Sequence, residues 1–329
     1  MKKGQAVKYT LSFLLAAVLL YFAFRGVDWK AFLEGLLHTR WFYVGLIFVS
    51  VFLAVFFRML RWRDMIIPVD PAITAKKTWD AANVGNFLNV VLPGAGEFAR
   101  CGLISAKGGA GYEKVFGTIV MERVWDIIAI LALFIIALAS KWSFFGGFFQ
   151  EQVVAPLAGR FKLNLWIILL ALFMLLAVGI FIMWKLRTRS RFCASAVEKV
   201  RGLWQGFGSF LKMKRKLLFL LYTVCIWLSY ILMCYFAVLA VPGLEHMTFV
   251  DALFISALGN LASVIPVPGG IGAYHYLVAL TMSSLYAVSW EMGILFATIC
   301  HEAHSILLIV LGIISYVDIS LKSKYSIKQ

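Results

Sequence analysis

Charged side chains stand inside apolar sequence in the first half of this chain, where a charge is costly unless it faces a polar cavity or a partner. They are Glu97, Arg100, Glu122, Arg123 and Asp126. An arginine offers a planar fork of donors that matches a phosphate group. We therefore expect Arg100 and Arg123 to bind a phosphate. The three carboxylates would balance a cationic group or carry a coupling proton.

The same residues also suit a purely structural role. Glu122 and Asp126 are four residues apart, so a helix places them on one face, with Arg123 three residues before Asp126. They can pair with one another or with Arg100 and so hold two segments together. Glu97 and Arg100, near a membrane boundary, allow the same interpretation.

Four asparagines precede the two proline–glycine breaks described next: Asn83, Asn86, Asn89 and Asn260. The first three recur at a spacing of three, which puts their amides on one side of a helix. Amides in such positions bind hydroxyl groups of a ligand or form hydrogen bonds between helices. Both interpretations stay open for Asn86, Asn89 and Asn260.

Histidines mark the second half of the chain, with one carboxylate among them: His275, His301, Glu302 and His304. The string His301-Glu302-Ala-His304 lacks the HExxH spacing, and the sequence shows no fourth metal ligand. We therefore expect no metal and no other cofactor. Proton coupling or a hydrogen-bonded interior pair is the favoured role, and a metal ion is the weaker alternative.

The elements that must position these groups are two helices broken by proline and glycine. The break residues are Pro93, Gly94, Gly96, Pro266, Pro268, Gly269, Gly270 and Gly272. The helices before the breaks, predicted at about 78–92 and 249–264, are shorter than the ~20 residues of a full span. Broken backbone at membrane depth is tolerated only where protein or water covers it. We therefore predict two re-entrant hairpins that return over 98–106 and 273–287.

Composition supports a membrane location for these hairpins. The chain is 62% hydrophobic and 14% charged, whereas a soluble domain is about 25% charged. Its net charge of +15 comes from cations in loops between apolar segments, which indicates membrane topology and not nucleic-acid binding. Because most lysines and arginines fall on one side, we expect both termini to be cytoplasmic, in an inner membrane.

The predicted architecture is an all-α polytopic membrane protein forming a single domain over 1–329. About six full spans are expected at 9–24, 41–57, 115–139, 163–184, 217–241 and 292–316. A first repeat at about 78–139 and a second at about 249–316 flank a basic cytoplasmic linker at 185–216. The first hairpin then enters from the cytoplasm and the second from outside, as in the inverted repeats of many transporters.

Three sequence strings together resemble a known family. They are Asn86 to Pro93-Gly-x-Gly-Glu97-x-x-Arg100, then Glu122-Arg123-x-x-Asp126, then Pro266-x-Pro268-Gly-Gly-x-Gly272. They are similar to the membrane region of lysylphosphatidylglycerol synthase, over nearly the whole chain. The resemblance implies the flippase-like half of enzymes that make and translocate aminoacylated phospholipid. It also implies a standalone protein, because the aminoacyl-transferase domain is missing.

Two departures from this family concern substrate charge or the coupling ion. A glutamate usually follows the second break, where this chain has Ala273-Tyr-His275-Tyr276. An arginine is common in the last span, where His301-Glu302-Ala-His304 stands instead.

We therefore predict a lipid translocase and not an enzyme, since no catalytic constellation is evident. Its partner would be a membrane lipid: an anionic or aminoacylated phospholipid, a glycolipid or a polyprenyl-phosphate. The alternatives are a non-transporting partner of a lipid- or glycan-synthesising complex and an intramembrane lipid-modifying enzyme. A lipid-synthesising enzyme is a possible partner, nucleic acid is not expected, and oligomers are allowed.

Overall fold

The computed structural model describes residues 3–106, 111–142, 215–262 and 265–326, with Met174 and Lys185. Its helices in these ranges are α1 (Lys3–Phe24), α2 (Trp29–Leu37), α3 (Trp41–Ile66), α4 (Ala75–Val91), α5 (Ala95–Ser105), α6 (Tyr112–Ser140), α7 (Lys216–Ala240), α8 (Phe249–Leu261), α9 (Ala273–Tyr286) and α10 (Trp290–Ser326). A 3-10 turn covers Pro268–Gly270. The described part of the chain contains no strand, which confirms the all-α prediction.

Three of the described helices are long and apolar enough to cross a membrane: α3, α7 and the Trp290–Leu321 part of α10. The pair α1 and α2 is a fourth candidate, bent by 86° between its two helices. The helix α6 also covers the predicted span 115–139. The total of six spans stays a prediction. Two predicted segments lie almost entirely outside the described ranges. They are the span 163–184, of which only Met174 is described, and the linker 185–216, of which only Lys185 and residues 215–216 are described. Ser263 also lies outside these ranges.

By internal contacts the chain forms one compact unit from Met1–Ala137 with Leu217–Gln329, and a second from Leu138–Lys216. Both broken hairpins, α4–α5 and α8–α9, belong to the first unit. The long helix α10 packs there against α2, α3, α4 and α9. It therefore connects both hairpins to the remaining helices.

The first hairpin folds as its local sequence dictates. Thr74 caps α4 by accepting a hydrogen bond from the Lys77 N–H at 3.1 Å. The helix ends at Leu92, which is extended because it precedes a proline. Gly94 then adopts a φ of +79°, a left-handed conformation that glycine accepts without strain, and α5 begins at the next residue.

Gly96 differs from its predicted role in the break, because it lies inside α5. Its missing side chain serves packing: a Cβ there would collide with the Gly85 carbonyl oxygen of α4. The two halves of the hairpin therefore touch backbone to backbone.

The second hairpin begins at α8, where the Asp251 carboxylate accepts hydrogen bonds from the Thr248 N–H and hydroxyl, both at 2.7 Å. Its break runs through Pro266 and Pro268 to three glycines with positive φ: Gly269, Gly270 and Gly272. The helix α9 then returns alongside α8.

The two breaks meet. The 3-10 turn at Pro268–Gly270 packs against α4, and a Cβ added to Gly269 would lie 3.4 Å from the Val90 carbonyl oxygen. Val90 is the residue next to Asn89 and close to the end of α4. The hairpins predicted to form a common centre are thus in contact at their interrupted ends.

Candidate functional site

Ion pairs join seven side chains of α3, α5 and α6 into one connected network among the described residues. Its members, called the arginine–carboxylate network below, are Arg58, Arg61, Glu97, Arg100, Glu122, Arg123 and Asp126. All five charged residues predicted from sequence are included. Arg58 and Arg61 are additional members.

The buried end of the network is the pair of Arg100 and Glu122. The Arg100 Nη2 lies 2.7 Å from the Glu122 Oε2, and both side chains are buried. The Arg100 guanidinium also stacks over the Trp62 ring, 3.9 Å from its centroid. Its Nη2 and its face are therefore occupied by protein, as in the structural alternative for this residue.

Two arginines of α3 complete the centre. The Arg58 Nη1 lies 3.0 Å from Glu122 Oε1 and 2.7 Å from Asp126 Oδ2. The Arg61 Nη2 lies 2.6 Å from Asp126 Oδ1, and the Arg61 side chain is fully buried. Glu122 and Asp126 are thus each held by at least two arginines, which offsets the cost of removing the charges from water.

The open end of the network is Arg123. Its side chain is 46% exposed, and its Nη2 lies 3.1 Å from the Glu97 Oε1. Glu97 also accepts a hydrogen bond from the Asn89 side-chain amide at 3.2 Å, and the Asn89 Oδ1 accepts one from the Gly96 N–H at 2.8 Å. Asn89 thereby holds the first break and orients the carboxylate facing Arg123.

The formal charge of the network is positive, since four arginines meet three carboxylates. Arg58, Arg61 and Arg100 are largely enclosed, with side-chain exposures of 15%, 0% and 3%. Arg123 is therefore the member best placed to meet an external group. The arrangement can bind one further negative charge, such as a phosphate, at its exposed end.

A second cluster lies at the second break. His301 of α10 has its Nε2 2.9 Å from the Gly269 carbonyl oxygen and its Nδ1 3.0 Å from the Glu302 Oε1. His275 of α9 places its Nε2 3.8 Å from the same Glu302 oxygen. The sequence placed His275 at the second break and His301 and Glu302 in the last span, and the structure brings the three side chains together.

The other predicted residues lie apart from these clusters. His304 lies against the Tyr230 ring, with centroids 6.1 Å apart. Asn260 donates a hydrogen bond to the Ser256 carbonyl of its own helix at 2.8 Å. Asn86 is half-buried on α4. None of these contacts tests a substrate-binding role.

Two contacts place the clusters side by side. On α4, Asn89 bonds to Glu97 while its neighbour Val90 lies against Gly269, whose carbonyl meets His301. On α7, the Tyr230 ring lies between Arg58, whose Cζ is 5.9 Å from its centroid, and His304. Residues at the first break therefore pack directly against residues at the second break.

Sequence reasoning missed Arg58 and Arg61 as site residues. The span predicted at 41–57 stops short of both residues, but α3 continues to Ile66. A usable signal was present: the two arginines are three residues apart and share a helix face, as Glu122 and Asp126 do at a spacing of four. Matching those faces would have paired them.

Comparison with known proteins identifies the family of this chain. The family model described as the lysylphosphatidylglycerol synthase TM region matches residues 9–312. A UPF0104 membrane protein from Pyrococcus horikoshii, PH1989, is 26% identical over 235 residues, which cover 65% of this chain and 68% of that protein. No solved structure matches the chain. This multi-pass, all-α membrane protein therefore belongs to the lysylphosphatidylglycerol synthase transmembrane-region family.

Proposed function

We propose that this protein translocates a lipid with a phosphate-bearing headgroup across the membrane. The observation that carries the proposal is the arginine–carboxylate network, which has one more positive than negative charge and a half-exposed Arg123 paired with Glu97 of the first broken hairpin. Charges enclosed by apolar helices are expensive, and in membrane proteins they mark routes for polar substrates. The name of the matching family points to the same chemistry.

Each part of the network has a role in this proposal. Arg123 contacts the lipid phosphate and exchanges its Glu97 partner for it, since guanidinium forms strong charge-assisted bonds to phosphate. Glu97, released from Arg123 but still held by Asn89, then faces a cationic part of the headgroup. Arg100 and Arg61 hold Glu122 and Asp126 in place. Arg58, which is less exposed than Arg123, is the second contact to the phosphate.

The broken hairpins lower the main barrier to translocation, which is the passage of a charged headgroup through hydrocarbon. The N-terminus of α5 lies at the first break, where the positive end of the helix dipole favours a negative group. The acyl chains stay in the bilayer while the headgroup passes the two breaks. We further propose that the protein lies in the inner membrane with both termini cytoplasmic, as the loop charges favour.

A proteoliposome assay tests the function. Purified protein is reconstituted with fluorescent analogues of phosphatidylglycerol, lysylphosphatidylglycerol, phosphatidylethanolamine and a polyprenyl-phosphate. A membrane-impermeant quencher then reports how much of each analogue has crossed. We expect at least one phosphate-bearing lipid to cross faster than in protein-free vesicles. Folded protein that accelerates none of them would contradict the proposal and favour a non-transporting role beside a lipid-synthesising enzyme.

A further inference from the structure

We infer that His275, His301 and Glu302 bind a divalent transition-metal ion such as Zn²⁺ at the second break. One ligand atom from each of these side chains lies within 4.8 Å of the others. The sequence alone predicted no metal here, because the spacing of these residues matches no metal motif. The proposal is independent of lipid translocation.

The distances suit a small tetrahedral ion. The Glu302 Oε1 lies 3.0 Å from the His301 Nδ1 and 3.8 Å from the His275 Nε2. Ligand atoms bonded to Zn²⁺ at about 2.0–2.1 Å are about 3.4 Å from each other. The two observed separations lie on either side of that value. The ligand atoms all lie within 4.8 Å of one another, so rotations of the side chains would bring them around one ion.

The hydrogen bond of His301 supports the same assignment. Its Nε2 faces the Gly269 carbonyl oxygen, which can only accept, so Nε2 carries a proton. In the neutral ring, Nδ1 then points a lone pair at the Glu302 carboxylate, and two acceptors repel each other. A cation between them removes this conflict. Metal-bound histidines commonly donate their other N–H to a backbone carbonyl in this way.

His275 provides a second, separate observation. Its side chain is 3% exposed, yet neither ring nitrogen makes a hydrogen bond within the described part of the chain, and Nδ1 is buried. A buried polar atom without a partner is costly. The Nε2, 3.8 Å from the Glu302 Oε1, is too far from it for a hydrogen bond, and a metal bond there would give this buried ring its first polar partner, while Nδ1 would stay unpaired.

The residues around the proposed site hold the metal ligands in place and leave one side open for an ion to enter. The His301 side chain is 6% exposed, while Glu302 is 42% exposed. The buried imidazoles are therefore fixed by packing, and the ion reaches the site past Glu302. Two imidazoles and a carboxylate form a donor set typical of Zn²⁺, and three protein ligands leave one position for water or an anionic oxygen.

Metal binding to purified protein tests this inference. Protein in nanodiscs is stripped with a chelator, titrated with Zn²⁺, desalted and analysed by mass spectrometry for metal content. A parallel titration with Co²⁺ reads tetrahedral coordination from visible absorption. We expect stoichiometric Zn²⁺ in the wild type and at least ~100-fold weaker binding in His275→Ala and Glu302→Gln, since even outer partners of a ligand are worth 10–100-fold.

The matched control is His304→Ala, which removes a histidine of the same helix outside the cluster and should leave Zn²⁺ binding unchanged. Glu302→Gln keeps the side-chain volume at a half-exposed position, so it decides the question even where His275→Ala fails to fold. The inference is overturned if the wild type binds Zn²⁺ no more tightly than Glu302→Gln.

Discussion

Arg100 and Glu122 form a buried ion pair, with 2.7 Å between Nη2 and Oε2, that fixes α5 of the first hairpin to α6. The arginine comes from just past the first break, and Trp62 of α3 covers its face. This pair holds three elements together at a point where water has little access. It sets the position of the network from which Arg123 extends.

Replacing Arg100 with alanine should therefore destabilise the protein. The change leaves Glu122 with only its α3 partners and removes the stacking on Trp62, and breaking a buried pair costs about 3–5 kcal/mol. Thermal unfolding in detergent measures the loss. Arg123→Gln is the comparison and should cost less than about 1 kcal/mol, because its pair is half-exposed. Equal stability of Arg100→Ala and the wild type would contradict the supporting role of this pair.

Gly96→Ala should disrupt the first hairpin. The added Cβ would collide with the Gly85 carbonyl oxygen and would lie 2.6 Å from the Asn89 Cγ, so α4 and α5 must separate. Gly102→Ala is a matched control in the same helix, because nothing lies within 4 Å of its Cβ position. Alanine at that helical position should stabilise the protein by about 0.5–1 kcal/mol. If the unfolding midpoints of both variants shift in the same direction, the close packing of α4 on α5 at Gly96 is contradicted.

The ion pair of Arg40 and Glu245, 2.7 Å apart outside the spans, should depend on pH. Backbone N–H bonds to the Glu245 carboxylate, followed by the Arg40 charge, lower its pKa. A lowered folded-state pKa stabilises the fold above the ordinary pKa of glutamate, and this contribution is lost as pH falls. Both side chains are about half exposed, so the coupling should not exceed about 0.5 kcal/mol.

A double-mutant cycle of Arg40→Gln and Glu245→Gln, measured by unfolding, checks this prediction. The coupling should be present at pH 7 and disappear below the ordinary glutamate pKa of about 4.3. A coupling that grows on acidification would contradict it.

The fold was largely accessible from sequence because its signals are local. Hydropathy defines the long helices, and the steric effect of Pro93 with the left-handed Gly94 dictates the first break. Helix ends were less accessible, since α3 runs on past residue 57 to Ile66. The apolar content of α3 drops after residue 57. The helix nevertheless continues, because its arginines pair with buried carboxylates of α6.

The site was accessible only in part. Sequence identified Glu97, Arg123 and their neighbours, because charges in apolar segments stand out. The spacing of Arg58 and Arg61 puts them on one face of α3, but that this face packs against α6 is set by the tertiary fold. The same holds for His275 and Glu302, which lie on different helices and come within 3.8 Å only through tertiary contact.

The most direct test of lipid translocation compares Arg123→Gln with the wild type in the proteoliposome assay. Arg25→Gln is the matched control, since Arg25 is an exposed arginine outside the network. Loss of a charge-assisted bond to phosphate is worth about 1.5–3 kcal/mol, so transport of the phosphate-bearing lipid should fall at least tenfold in Arg123→Gln and stay unchanged in Arg25→Gln. Wild-type transport rates in a folded Arg123→Gln protein would contradict the account.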